Sequence, residues 1–124
     1  MEQEVKHVIV VDDDRGILRT FRLILEKERY IVETAETGKE ALDKINNQQF
    51  DVALVDVRLP DMDGTDLLLK MANQRCIVKI IVTGFSDEET GKKAADYGAD
   101  DFLVKPVQPG ELLAAVHERL CSVQ

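Results

Sequence analysis

The sequence predicts an α/β fold in which helices cover both faces of a parallel sheet. Short β-branched runs alternate with longer segments of helical periodicity along the chain, the pattern of successive β and α units around a parallel sheet. Five such units fill the 124 residues. A chain of this length buries one core without disulfides or metals as staples, so we expect a single domain over residues 1–124.

Five segments are predicted as strands from their runs of apolar and β-branched residues. The first, third and fourth are near-continuous apolar runs, typical of strands that are covered on both faces. The second alternates between apolar and polar residues, which indicates an edge strand. The predicted strands lie at 6–11, 30–34, 51–56, 78–82 and 101–105.

The intervals between the strands carry helical patterns with starts and ends. Capping-box spacing marks helix starts at Thr37 and Ser86, each followed by a glutamate three residues later, and Pro109 suits the first turn of the last helix. Gly98 is expected to end the fourth helix. The first and last helices each present one apolar stripe to the core. The stripes are Ile17, Leu18, Phe21, Ile24 and Leu25, and Leu112, Leu113, Val116 and Leu120.

The composition disfavours several classes of function. Twenty-four acidic residues against 16 basic ones give a net charge of -8, which argues against general binding to nucleic acid or anionic lipid. We recognise neither a signal peptide nor a membrane span, so we expect a cytoplasmic location. Cys76 and Cys121 lack the short spacing of a zinc or redox pair, and we expect free buried thiols without a function.

Acidic residues follow two of the apolar strands directly. Asp12, Asp13 and Asp14 come after the first strand, and Asp56 ends the third. In open parallel sheets the ligand site lies beyond the carboxyl ends of the strands. Clustered carboxylates repel each other unless a cation binds them, and their hard oxygens suit Mg²⁺. We therefore predict a magnesium site here, while Asp14 fits better as the cap of the following helix.

A hydroxyl and an ammonium are predicted at the same sheet edge. Thr83 follows the fourth strand and Lys105 ends the fifth. A carboxylate can attack a phosphoryl group and form an acyl phosphate when a cation neutralises the incoming oxygens and donors hold the others. Magnesium, Lys105 and Thr83 meet that need, so the residues favour phosphoryl chemistry at a strand-end aspartate.

These motifs together resemble the receiver domain of response regulators. The matching segments are Val-Val-Asp-Asp at 10–13, Asp56 with the Pro-Asp-Met-Asp-Gly of 60–64, Thr83-Gly84 and Lys105-Pro106. The resemblance covers the whole chain and implies a flavodoxin-like, doubly wound (βα)5 three-layer sandwich with strand order 2-1-3-4-5. Thr83-Gly84 and the run 101–106 are also similar to the nitrogen-regulation-type branch of these regulators.

The resemblance implies roles in phosphoryl transfer for specific residues. Asp56 would be the phosphorylation site, and Thr83 and Lys105 would hold the phosphoryl oxygens. Thr83 and Phe102 would form the switch, although the family often has an aromatic hydroxyl where this chain has Phe102. A cis peptide would precede Pro106 and aim the ammonium inward.

The resemblance also implies a metal-ligand set. Asp13, Asp56 and the backbone carbonyl of Arg58 would ligate Mg²⁺, and Asp12 would support the ion through water. Arg58 and Phe85 resemble positions that tune the lifetime of the phosphoryl group by controlling access of water, so we expect a shielded site.

The implied function is that of a regulatory phosphoacceptor in a two-component phosphorelay rather than an enzyme acting on a separate substrate. A sensor histidine kinase or a phosphotransfer protein would supply the phosphoryl group. The domain would catalyse its own Mg²⁺-dependent modification and its slow reversal. The fourth helix, fifth strand and fifth helix would then control an output domain or partner, or form a phosphorylation-dependent homodimer.

Two alternative sites lack the sequence context that they need, and a third alternative stays open. The segment 61–65, Asp-Met-Asp-Gly-Thr, matches the nucleophile motif of haloacid-dehalogenase-type phosphohydrolases, but Pro60 breaks the required strand context. The segment fits better as a loop in which Gly64 supplies the backbone freedom of a tight turn. An EF-hand loop starting at Asp61 would need an acidic residue where Ala72 stands. The third alternative is an interaction module with the same fold that is no longer phosphorylated, and labelling of Asp56 by a small phosphodonor would distinguish it.

Overall fold

The protein is described by a computed structural model that covers residues 4–72, 77–85 and 87–122. Its five parallel strands form one sheet in the order β2-β1-β3-β4-β5, which confirms the predicted doubly wound fold. The strands are β1 (His7–Val11), β2 (Ile31–Ala35), β3 (Val52–Val55), β4 (Val78–Thr83) and β5 (Asp101–Val104). The helices are α1 (Arg15–Lys27), α2 (Gly38–Asn47), α3 (Gly64–Lys70), α4 (Glu88–Asp96) and α5 (Pro109–Ser122).

The sheet separates two hydrophobic cores, because successive strand residues point to opposite faces. On one face Val10 and Ile80 pack with the buried stripe of α1 and with α5, and both predicted stripes lie on this core. On the other face Val11 and Ile81 pack with residues of α2, α3 and α4. The central strands are buried on both sides, as their near-continuous apolar runs predict.

Strand β2 lies at an edge of the sheet, as its alternating pattern predicts. Its outward carbonyl groups are bound by cations from the two flanking helices. Arg22 Nη2 donates to the carbonyl of Val32 at 2.8 Å, and Lys44 Nζ donates to that of Thr34 at 2.6 Å. Charged side chains of this kind protect an exposed edge against pairing with another strand.

Several helix ends lie where the sequence predicts them, and the predicted start of one helix is wrong. Asp14 caps α1 by accepting from the N–H groups of Gly16 and Ile17, and Thr37 Oγ1 accepts from Glu40 N at 3.0 Å. Helix α4 begins after Asp87 rather than after the predicted Ser86, which lies outside the described residues. The Asp87 carboxylate accepts from the N–H of the third helical residue, the standard N-cap bond.

The remaining expectations concern helix termini and the cysteines. Pro109 begins α5, and Gly98, with a φ of 106°, follows the end of α4 as predicted. Cys76 and the side chain of Cys121 lie outside the described part of the chain. Among the described residues, none of the helices has the length and apolar character needed to cross a bilayer.

Candidate functional site

The predicted acidic residues meet at the carboxyl edge of the sheet. Residue Val11 of β1 pairs with Val55 of β3, so Asp12 and Asp56, the next residues, lie level with each other. Carboxylate oxygens of Asp12, Asp13 and Asp56 all lie within 4.8 Å of one another. Asp12 and Asp56 are only 3% and 7% exposed, whereas Asp13 is exposed. The structure therefore forms a pocket with two buried carboxylates and one open to solvent.

Lys105 bridges the two buried carboxylates. Its Nζ lies 2.7 Å from Asp12 Oδ2 and 3.0 Å from Asp56 Oδ2. Burial alone would lower the pKa of Lys105, but the hydrogen bonds and charges of both carboxylates outweigh it and raise the pKa above its ordinary value. The ammonium therefore stays charged and offsets part of the repulsion between the carboxylates. The peptide bond between Lys105 and Pro106 is cis, as the resemblance implies.

Asp12 occupies an environment that disfavours its charged form. Burial is the largest influence and raises its pKa, even though Lys105 and the N–H of Asp14 donate hydrogen bonds to it. An added cation would relieve this cost, because opposite charge nearby favours the ionised carboxylate. Three carboxylates are hard oxygen ligands, and this donor set fits Mg²⁺.

Thr83 lies at the same edge and is fully buried. It ends β4, two residues beyond the partner of Val55, and its carbonyl accepts from the N–H of Lys105 at 2.9 Å. Its Oγ1 accepts from the N–H of Phe85 at 3.2 Å. A hydroxyl that accepts through its oxygen keeps its proton for donation to another acceptor. Thr83 is thus held in place by the β4–α4 loop and by the backbone that leads to Lys105.

Arg58 and Phe85 connect the two loops that leave β3 and β4. The guanidinium carbon of Arg58 lies 3.9 Å from the centroid of the Phe85 ring, a cation–π contact. The N–H of Arg58 also lies 3.4 Å from Asp56 Oδ1. The contact joins the residues two positions after Asp56 and Thr83, so it connects the loop that follows the predicted acceptor with the loop that follows Thr83.

The residues of the rejected phosphohydrolase motif have structural roles. Asp61 stands in the loop after β3, not at a strand end, and its carboxylate accepts from the N–H groups of Gly38 and Lys39 at 2.8 and 2.9 Å. The hydrogen bond from Gly38 is the leading cause that lowers the pKa of Asp61. Asp63 caps α3 through Thr65 and pairs with Lys93 of α4 at 3.7 Å. Helix α3 occupies most of the segment that an EF-hand loop would need.

Gly64, in the same segment, is required for a different reason from the one predicted. The sequence suggests backbone freedom at a tight turn, but the φ of Gly64 is not in the left-handed region. Gly64 instead packs directly against the backbone of Asp56, and a Cβ there would overlap the Asp56 carbonyl oxygen. The close approach holds the start of α3 against the end of β3.

Phe102 lies on the face of the sheet that carries α4. It pairs with Ile81 and is half-buried, packed against the core that includes Ala94, with Tyr97 and Ala99 beside that core. The ring is therefore neither fully in the core nor free in solvent.

Comparison with known proteins identifies the family. The family model described as "Response regulator receiver domain" matches residues 8–117, and the chain belongs to this family. Receiver domains bind Mg²⁺ at an acidic site, and Asp12, Asp13 and Asp56 form such a cluster here. The chain therefore has the fold and the acidic cluster of a two-component signalling domain.

Relatives and solved structures agree with this assignment. The response regulator ArlR of Staphylococcus aureus is 35% identical over 109 residues, which cover 88% of this chain and 50% of that protein. The chain thus spans about half the length of the curated relatives it matches. A CheY-like receiver domain protein from Methanospirillum hungatei is 43% identical with a TM-score of 0.92, covering 95% of each chain. The BeF3-activated DrrB receiver domain is 33% identical with a TM-score of 0.86, covering 95% of this chain and 98% of that one.

Proposed function

We propose that this domain is a Mg²⁺-dependent phosphoacceptor whose acceptor is Asp56. The observation that carries the proposal is the buried Asp56 carboxylate, which Lys105 bridges to Asp12 with Asp13 in reach. The fold brings three carboxylates together although burial disfavours the charged form of Asp12, which favours a reaction that uses them. The family membership supports the same function.

The proposed reaction transfers a phosphoryl group from a phosphohistidine or a small acyl phosphate to Asp56. A carboxylate oxygen of Asp56 attacks phosphorus as the bond to the donor's nitrogen or oxygen breaks, and the donor leaves with the bonding electrons. A new P–O bond forms an acyl phosphate. Lys105 and Thr83 would hold the phosphoryl oxygens, since an ammonium and a buried hydroxyl are suitable donors to developing negative charge.

The proposed metal ligands are Asp13, Asp56 and the carbonyl of Arg58, with Asp12 acting through water. When bound, Mg²⁺ supplies positive charge that neutralises the phosphoryl oxygens and reduces repulsion between the incoming anion and the carboxylates. The exposed Asp13 gives the site an opening to solvent. The Arg58–Phe85 contact would limit access of water to the acyl phosphate and so slow its hydrolysis.

We place the domain in a cytoplasmic phosphorelay, where a sensor histidine kinase or a phosphotransfer protein is the donor. Because the chain spans about half of its curated relatives, an output domain or partner protein is part of the proposal, as is a homodimer formed on phosphorylation. The likeness of Thr83-Gly84 and of 101–106 to nitrogen-regulation-type regulators adds that branch as the proposed subgroup.

Labelling with a small phosphodonor tests the proposal directly. Intact mass spectrometry after incubation with acetyl phosphate and Mg²⁺ should show one added phosphoryl group, and peptide mapping should place it on Asp56. Omission of Mg²⁺ should suppress the reaction. A protein that takes no label under these conditions would instead be the interaction module that has lost phosphorylation.

Magnesium should stabilise the folded domain. Because the pKa of Asp12 is raised in the folded state, its ionisation as the pH rises above the ordinary value of 3.8 destabilises the fold, and a bound cation offsets that effect. By mass action, Mg²⁺ at about ten times its Kd raises the free energy of unfolding by about 1.4 kcal/mol. Thermal unfolding with and without millimolar Mg²⁺ measures this increase.

Asp13→Ala should remove this response to Mg²⁺, and Asp43→Ala, which deletes an exposed carboxylate on α2, should keep it. An unmutated domain whose melting temperature ignores Mg²⁺ would contradict the metal assignment.

Phosphorylation should change the surface formed by α4, β5 and α5. Helix α4 is weakly held: Ala94 is its only buried residue, and Gly91 in its interior costs about 1 kcal/mol relative to alanine. If Thr83 moves toward the phosphoryl group, the half-buried Phe102 can enter the space it leaves and bias a two-state equilibrium. The rates of amide hydrogen exchange within residues 84–110 should therefore differ between the domain with and without a phosphoryl mimic.

Phe102→Ala should abolish this exchange response while Asp56 is still phosphorylated, because packing alone would connect the site to the surface. Changes confined to α1 and α2 would show that the output surface lies elsewhere.

A further inference from the structure

The segment between β3 and α3 folds as a small hairpin. Arg58 and Asp63 form an antiparallel bridge, and the N–H of Leu59 donates to the carbonyl of Met62 at 3.2 Å. The base of the hairpin adjoins Asp56, because Gly64 packs against the Asp56 backbone. Arg58, whose carbonyl is a proposed metal ligand, therefore lies on one arm of this hairpin, and Asp61 lies at its tip.

The tip of the hairpin is bound to the N-terminus of α2. Both carboxylate oxygens of Asp61 are used: Oδ1 accepts from Gly38 N at 2.8 Å and Oδ2 from Lys39 N at 2.9 Å. The next N–H of the helix, that of Glu40, is bound by Thr37 Oγ1. The first two donors of α2 are thus satisfied by a residue 23 and 22 positions away, and only the third by the local cap.

This arrangement combines two favourable interactions. A carboxylate at a helix N-terminus accepts from N–H groups that have no partner within the helix, and its charge complements the helix dipole. Met62 adds a packing contact, since its side chain covers Gly38 so closely that a Cβ there would overlap it. The hairpin is therefore held against α2 by the two hydrogen bonds that Asp61 accepts and by the adjacent apolar contact of Met62.

From this geometry we infer that Asp61 is a positioning residue for the metal site: it holds the hairpin against α2 and thereby fixes the Arg58 carbonyl relative to Asp13 and Asp56. The inference rests on the proposed Mg²⁺-dependent function and extends it to a residue that contacts neither metal nor phosphoryl group. Outer partners of metal ligands affect affinity because they orient the ligands.

The test compares two variants that each weaken the cap of the same helix. D61A removes the bonds to Gly38 and Lys39 and frees the hairpin, whereas T37A removes the local cap bond to Glu40 and leaves the hairpin attached. Mg²⁺ affinity is measured by titration of backbone amide chemical shifts, without any phosphodonor. We expect D61A to bind Mg²⁺ about 10-fold more weakly than the unmutated domain and T37A to bind it with unchanged affinity.

A second readout reports the attachment itself. Amide hydrogen exchange at Gly38 and Lys39 should accelerate in D61A, and exchange at Glu40 should accelerate in T37A. If D61A is too unstable to study, D61N provides the same contrast, because its single amide oxygen keeps one of the two bonds and should give an intermediate affinity.

The outcomes separate this inference from the proposed function. Equal Mg²⁺ affinity in D61A and the unmutated domain, or an equal loss in D61A and T37A, would overturn the positioning role while the function stands. An unmutated domain that binds no Mg²⁺ would overturn the function and this inference with it. Weaker binding in D61A alone, together with faster exchange at Gly38 and Lys39, would establish it.

Discussion

Replacing Asp56 with asparagine is expected to abolish phosphorylation of this domain completely. The asparagine amide keeps the shape of the side chain but lacks the nucleophilic carboxylate oxygen, and no acyl phosphate can form. Lys105 keeps its contact with Asp12, so the fold should persist. The measurement is the mass of the intact protein after incubation with a small acyl phosphate and Mg²⁺, in which the added phosphoryl group should be absent.

Asp14→Asn is the matched control for this loss. Asp14 belongs to the same acidic run, but its carboxylate caps α1, and asparagine is an equally good N-cap residue. The control should take up the phosphoryl group at the normal extent. A label that persists in D56N, or that maps to Asp12 or Asp13 in the unmutated protein, would contradict the assignment of Asp56.

Gly64→Ala is expected to give the largest loss of stability among the glycine-to-alanine substitutions of this chain. The new Cβ would overlap the backbone carbonyl oxygen of Asp56, and because that Cβ is attached rigidly to its own backbone, no flexible side chain can move aside. Overpacking of a tight contact costs about 1–3 kcal/mol and sometimes more. Urea denaturation should show a loss of at least about 2 kcal/mol or an unfolded protein.

Gly91→Ala is the matched control for Gly64→Ala. A Cβ at Gly91 meets no heavy atom within 4 Å, and alanine is favoured over glycine inside a helix, so this variant should gain about 0.5–1 kcal/mol. If Gly64→Ala unfolds at the same urea concentration as the unmutated domain, the start of α3 does not press on the end of β3 as the structure indicates.

The fold was predictable because its determinants are local. Near-continuous apolar runs in β1, β3 and β4 and alternation in β2 reflect how many faces of each strand are covered, and the sheet order confirms that interpretation. A helix boundary was predicted wrongly where two candidate capping residues are adjacent in the sequence. Helix α4 begins after Asp87 although Ser86 has the capping-box spacing, because spacing alone does not show which side chain reaches the N–H groups.

The residues of the site were predictable for a related reason. In a parallel sheet the carboxyl ends of the strands share one edge, so polar residues directly after apolar strands converge there. Asp12 and Asp56 lie level at that edge because Val11 and Val55 are partners in the ladder. The sequence therefore determined which side chains reach the pocket, and the strand-end pattern together with the family motifs pointed to their chemistry.

Only the tertiary structure decided which contacts those side chains and their neighbours make. The hydrogen bond from Lys105 to Asp12 joins residues 93 positions apart in the sequence, and the one from Gly38 to Asp61 joins residues 23 positions apart. The Arg58–Phe85 contact joins two different loops. No periodic or local pattern in the sequence predicts these contacts, because each depends on the relative positions that separate elements adopt when they pack. For the same reason Gly64 looked like a turn residue in the sequence, whereas the closeness of the Asp56 backbone is what requires glycine there.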